Sequence, residues 1–287
     1  MNAAPLAFAR AQGGAGIYVH PVGSPAPFTE EGLASIPVAL VADAAHGAID
    51  LLEIVCLWSS AVGTTELWYR LLNAGFPVAP SGGTDAMTDF HRTMALGSTR
   101  VYVRPDGPLT FERYLTALKS GKSFVTTGPM LDLTINGDAR PGDVVQPKGG
   151  RVRFTVRAAS VSPVDSVVIM VNGQTMRTLG PLAAGTTGSW SGVVKVPRGG
   201  WIAARAIDPR TTTWPAMAEH AFAHTAPIWI GSRASTDPMA RRAAALDLLR
   251  ALAVAEKQLI AGYEGSEIPR LRAYFEQARV RLEALAR

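Results

Sequence analysis

Apolar and polar positions follow two different textures along this chain. Between residue 14 and about 128, short β-branched runs (GIYVHP, IDLLEIVC, FPVAPSGGTDA, TRVYVRP and SFVTTG) alternate with longer runs whose apolar residues recur every three or four positions. That alternation predicts β/α units around a parallel sheet. In TTELWYRLLNAG a threonine is the expected helix cap, Leu67, Leu71 and Leu72 share one face, and Gly75 ends the helix. In LTFERYLTALKSG the cap is Thr110, the apolar face is Phe111, Tyr114, Leu115 and Leu118, and Gly121 terminates.

From about 129 to 231 the runs shorten and alternate at period two: RVRFTVRAA, DSVVIMVNG, QTMRTLG, GSWSGVVKV, GGWIAARAID and HAFAHTAPIWI. Strands at this spacing, with Asn172-Gly173 as a hairpin signal, predict an immunoglobulin-like β-sandwich. Residues 232–287 predict a helical hairpin turning near Gly262 to Pro269. Its second helix carries Ile268, Leu271, Phe275, Ala278, Leu282 and Leu285 as one stripe, to be packed on the body or on a second copy as a homo-oligomer. The expected class is therefore α/β plus β, in three units: 1–128, 129–231 and 232–287.

Composition narrows the function classes. With 47% hydrophobic residues in 287, the chain can bury a sizeable core. The net charge of +5 is spread over the whole length, with no run of basic residues to follow a phosphate backbone, so a nucleic-acid partner is not expected. A membrane partner is not expected either: Asp43, Asp50 and Glu53 interrupt the best apolar stretch, and a spanning helix needs ~18 uncharged residues. No secretory signal is visible, which leaves cytoplasm and periplasm both open for a soluble protein. The single Cys56 excludes an intramolecular disulfide or a C-x-x-C pair, and its run LLEIVCLW reads as a buried strand with an inert thiol.

Candidate chemistry gathers at strand ends. In FPVAPSGGTDA an apolar run ends in small residues and Asp85, the layout by which a β/α fold brings a carboxylate to its active face. The same aspartate also reads as a helix cap or turn former. GAGIYVHP is a second strand ending in a ligand type, His20, which reads equally as a hydrogen-bonded structural residue. Glu53 interrupts an apolar strand and needs a partner, whether an arginine, a backbone donor or a metal. His91 and Arg92 follow in a loop that either overhangs the site or is simply solvated. His220 and His224 make an H-x3-H pair, but on a strand, at ~3.3 Å per residue, they stand about 13 Å apart and do not share one ion. The glycines of ALGSTR and KSGKSFVTTG lack phosphate-loop spacing.

The run from SGGTDA through LGSTRVYVRPDGPLTFERYLTALKSGKSFVTTGPMLDLTINGDARPGD, preceded by WYRLLNAGF and GGAGIYVHP, resembles the carbaryl-hydrolase-like (CehA/McbA) branch of the polymerase and histidinol phosphatase (PHP) superfamily. The likeness covers residues 13 to 143 closely and extends loosely to AHTAPIWI near 230. It implies that residues 1–128 are the C-terminal half of a distorted β/α barrel. It also implies a divalent metal (zinc, manganese or iron) and hydrolysis of a small-molecule ester, carbamate or phosphoester. On this resemblance His20 and Asp85 are metal ligands and Glu53 ligates or orients; on the hydrolase reading His91 or Arg92, in the loop that follows, contacts the substrate or the developing oxyanion. Two departures stand out. Met87 occupies the position where the wider superfamily usually has a histidine, and no H-x-H pair occurs anywhere. The expectation is a chain that begins partway through the barrel and carries only the later metal ligands. The competing reading is a non-catalytic binding or assembly protein whose sandwich recognises carbohydrate or protein.

Overall fold

The computed structural model describes residues 2–87, 95–211, 220–262 and 268–287, with side chains throughout except at 209–211. It shows mixed α/β content in three sheets, with a pair of long helices at the C-terminus. Helix α1 (Ala3–Ala11) leads into β1 (Ile17–Tyr18); α2 (Leu40–Ala45) precedes β2 (Leu51–Val55), and α3 (Ala61–Asn73) precedes β3 (Ala79–Gly82). These three strands form a parallel sheet in the order β1-β2-β3, with Ile17 opposite Leu51 and Leu51 opposite Ala79. The sheet is open.

The next strands belong elsewhere. β4 (Arg100–Val103) and β5 (Ser123–Thr126), joined by α4 (Phe111–Lys119), pair with each other and then with β13 (His220–Thr225). They lie in an eight-stranded sheet with β9 (Val164–Val171), β10 (Gln174–Leu182) and β12 (Gly200–Thr211), in the order β10-β9-β12-β13-β5-β4. Two short strands, β7 (Val144–Val145) and β14 (Ile228–Ile230), extend it beside β12. A smaller antiparallel sheet of β11 (Thr186–Lys195), β8 (Arg151–Ser160) and β6 (Met130–Ile135) faces it. The large sheet thus runs continuously across residue 128.

Period-two alternation makes the large sheet a shared layer. One face, with Val167, Ile169, Val171, Ile202, Ala204 and Ala223, packs on Leu133, Phe154 and Val156 of the small sheet. The opposite face, with Val168, Met170, Trp201, Ala203 and Phe222, packs on Trp68 and Tyr69 of α3 and joins the same core as the C-terminal helices. Those helices are α5 (Pro238–Gly262) and α6 (Ile268–Ala286). The α6 stripe is spent within the chain: Leu271, Phe275, Ala278 and Leu282 are buried. No helix among the described residues is long and apolar enough to cross a membrane.

Local signals explain the boundaries. Thr110 accepts a hydrogen bond from the Arg113 N–H and caps α4 as expected, and Gly121 lies beyond its end at φ +71°. Phe111, however, is exposed rather than part of a buried face. The cap of α3 is Ser60, which accepts from the Gly63 N–H, so Thr64 and Thr65 lie inside the helix. Asn172 and Gly173, at φ 50° and 83°, form the two-residue turn between β9 and β10.

Candidate functional site

Neighbouring parallel strands end on one edge of their sheet, and the loops leaving β1 and β3 carry His20 and Asp85 on either side of Glu53 in β2. Every residue of β2 is buried, Glu53 included. Its carboxylate is satisfied from the backbone: Oε2 accepts the His20 N–H at 2.7 Å. Of the partners open to Glu53, the structure thus supplies a backbone donor. Burial still pushes the carboxyl above the ordinary range, against the His20 N–H, a thiol hydrogen bond from Cys56 and the His20 imidazole; the Asp85 carboxylate adds to the rise.

The glycine pair of SGGTDA has a steric cause. A Cβ on Gly83 would lie 2.8 Å from Glu53 Oε1, and one on Gly82 would lie 2.6 Å from Val55 Cγ2 and 3.0 Å from the Arg100 carbonyl oxygen. Gly83 lets the end of β3 pass over the buried carboxylate, and Gly82 lets it pass Val55 and the Arg100 backbone. The loop is then tied down by two threonines. Thr99 Oγ1 donates to the Gly83 carbonyl at 2.5 Å, while Thr84 Oγ1 donates to the Thr99 carbonyl at 3.1 Å and accepts from the Gly97 N–H at 2.9 Å.

His20 and Asp85 are both exposed, and both have left-handed backbone, at φ 34° and 50°. Non-glycine residues adopt that conformation at a cost, and such positions concentrate at functional sites. Cys56 sits beside Glu53 and near Asp85, a neighbour that reading the run as an inert strand missed. Burial, reinforced by those carboxylates, pushes its thiol up to about 12, which keeps it protonated and a poor ligand.

One imidazole and one or two carboxylates form a donor set that suits zinc, manganese or iron. His20 and Asp85 fit such an ion by donor type and exposure, whereas Glu53 has one oxygen already held by the His20 amide. Among the described residues, no group of three or more His, Cys, Asp or Glu side chains converges to hold a metal ion. His91 and Arg92 lie outside the described residues.

His224 and His46 are held by the packing around them. His224 is fully buried on β13; its Nδ1 is 2.7 Å from the Thr225 carbonyl and its Nε2 2.6 Å from the Tyr69 hydroxyl. A carbonyl only accepts, so Nδ1 carries the proton and Nε2 accepts from Tyr69. His46 stacks on Tyr274 with ring centroids 4.0 Å apart. His220 and His224 lie on one extended strand. Comparison with protein-family models, with curated proteins and with solved structures gave no match.

Proposed function

We propose that the ends of β1, β2 and β3 form part of the centre of a divalent-metal-dependent hydrolase of the PHP type, acting on an ester, carbamate or phosphoester. The observation that carries this reading is the placement of His20 and Asp85, in left-handed backbone, on either side of a buried carboxylate at one edge of a parallel sheet. On this reading β1 to β3 are neighbouring strands of a distorted β/α barrel, and the two facing sheets are an immunoglobulin-like sandwich.

This reading assigns a role to each residue. His20 and Asp85 supply the ligands, and Glu53 holds the His20 loop through its amide. Gly83 leaves Glu53 the room to do so, and the hydroxyls of Thr84 and Thr99 fix the loop that presents Asp85. A bound divalent ion would supply a water of lowered pKa and a Lewis acid for the scissile group. Catalytic zinc takes about three protein ligands, so the reading requires at least one ligand beyond His20 and Asp85. His91 and Arg92 are assigned to substrate contact.

Metal content after dialysis against Zn²⁺ or Mn²⁺ tests the assignment, with wild type set beside Asp85→Ala and His20→Ala. Loss of metal in both variants, together with chelator-sensitive hydrolysis of p-nitrophenyl acetate or bis-p-nitrophenyl phosphate by wild type, is the expected result. Equal metal content in all three proteins removes His20 and Asp85 as ligands.

A further inference from the structure

The small sheet has one face on the core and one on solvent, and period-two alternation sorts its side chains between them. In β8 the inward positions Val152, Phe154, Val156 and Ala158 are buried, so Arg151, Arg153 and Arg157 point outward and are exposed. Ladder pairing adds a fourth cation: Lys195, at the end of β11, stands opposite Arg151 and is exposed as well. Charges that the linear sequence scatters are thus gathered on one face.

These cations have no counter-charge. Among the outward residues of β6, β8 and β11, Asp132 is the one carboxylate; it stands opposite Arg157, and Arg140 holds it at 3.0 Å. None of the four cations makes an ion pair among the described residues. At ~3.3 Å per residue, Arg151 and Arg157 lie about 20 Å apart along one strand, with Arg153 between them. A row of uncompensated cations of that length complements a chain that carries repeated anionic groups, through an attraction that salt screens.

The rest of the face selects among polyanions. Single-stranded nucleic acid is held by stacking its bases on exposed rings, and the aromatic residues of this sheet, Phe154 and Trp190, point to the inward side. A lipid surface takes a continuous apolar face, whereas Val193 is the single apolar residue among the outward positions of β11. Hydroxyls lie beside the cations instead. Thr155 and Ser191 are bonded to each other at 2.9 Å, and Ser189 stands opposite Arg157. Guanidinium and hydroxyl groups on a flat face match the carboxylates and hydroxyls of an acidic sugar chain.

We infer that the outer face of the small sheet binds a linear acidic polysaccharide, its carboxylates on Arg151, Arg153 and Arg157. This face lies on a different sheet from the proposed metal centre, and neither reading depends on the other.

Biolayer interferometry on immobilised polygalacturonate tests the inference, with dextran as the uncharged chain. Wild type is expected to bind polygalacturonate saturably and dextran not at all, with affinity falling as salt is raised. Arg153→Gln/Arg157→Gln should weaken binding about tenfold, whereas Arg242→Gln/Arg272→Gln, which removes the same net charge from the C-terminal helices, should change it less than about twofold. All four arginines are exposed, so unchanged thermal midpoints are expected in both variants. Lys195→Gln reads the same face from a second strand and should weaken binding about threefold. Absence of saturable binding by wild type overturns the site. Equal losses in the two double variants assign the binding to net charge and overturn the face. Tighter binding to duplex DNA or to phosphatidylserine vesicles, lost in Arg153→Gln/Arg157→Gln, overturns the choice of a polysaccharide.

Discussion

Glu53 and Gly83 form a matched pair, because the carboxylate occupies the volume that a side chain on residue 83 would need. Gly83→Ala puts a methyl 2.8 Å from Oε1 and must displace the carboxylate or the loop. We expect a loss of about 1 to 3 kcal/mol in urea unfolding, the usual cost of overpacking, together with reduced metal uptake. Unchanged stability and uptake would show that the close approach is not needed. His224 gives a prediction with a definite sign. Burial holds its imidazole down to about 3, from an ordinary value of 6.5. Between those values the unfolded chain takes up a proton that the folded chain refuses. The contribution is therefore complete above about pH 6.5 and is lost as pH falls toward 3. By pH 5 the loss is about 2 kcal/mol. Urea unfolding at pH 7 and pH 5 should show that difference in wild type and not in His224→Gln; parallel behaviour of the two proteins would argue against this source.

At the scale of elements, a buried carboxylate joins segments distant in sequence. Asp43 of α2 is fully buried and accepts hydrogen bonds from the Tyr274 hydroxyl of α6 and the Tyr18 hydroxyl of β1, each at 2.6 Å. Both phenols are held in the protonated, donating form by burial and by Asp43 itself. Tyr274→Phe removes one of the two donors, and we expect about 1 to 3 kcal/mol of destabilisation, with faster amide exchange along α6. Ser60→Ala, which removes the α3 cap, should cost about 1 kcal/mol. The sequence carried some of these features and hid others. The α4 cap and the Asn172-Gly173 turn were legible because each depends on a residue type acting within a few positions of itself. Thr64 and Thr65 drew attention from Ser60 because hydroxyl residues stand at both places, and only packing decides where the helix begins. His20, Glu53 and Asp85 could be picked out as strand-end or strand-interior oddities. That Glu53 holds a backbone N–H 33 residues away could not, nor could the partnership of Asp43 with α6, since neither leaves a local pattern.

The whole molecule is organised by a sheet with two buried faces. Composition along the chain changes near residue 128, yet β4 and β5 precede that point and still pair into the sheet built mostly by later strands. Period-two alternation in β9 sends Val168 and Met170 toward the helices and Val167, Ile169 and Val171 toward the small sheet. Removing either covering layer would expose one apolar face of the same strands. Side chains bridge the helical contact as well: the Trp201 indole N–H donates to Asn73 Oδ1 at 2.8 Å, and the Trp68 and Trp201 rings lie 6.3 Å apart. Separate unfolding of a sandwich and a helical layer would strand these groups against water, at about 25 cal/mol for each Å² of apolar surface exposed. We therefore expect tryptophan fluorescence, to which Trp68 and Trp201 at the contact of α3 with the large sheet contribute among six tryptophans, and far-UV circular dichroism, which reports on all strands and helices, to give one transition with the same midpoint in urea. Two separated midpoints would mean that the faces of the large sheet are covered by independently stable layers, and the shared-layer account would fail.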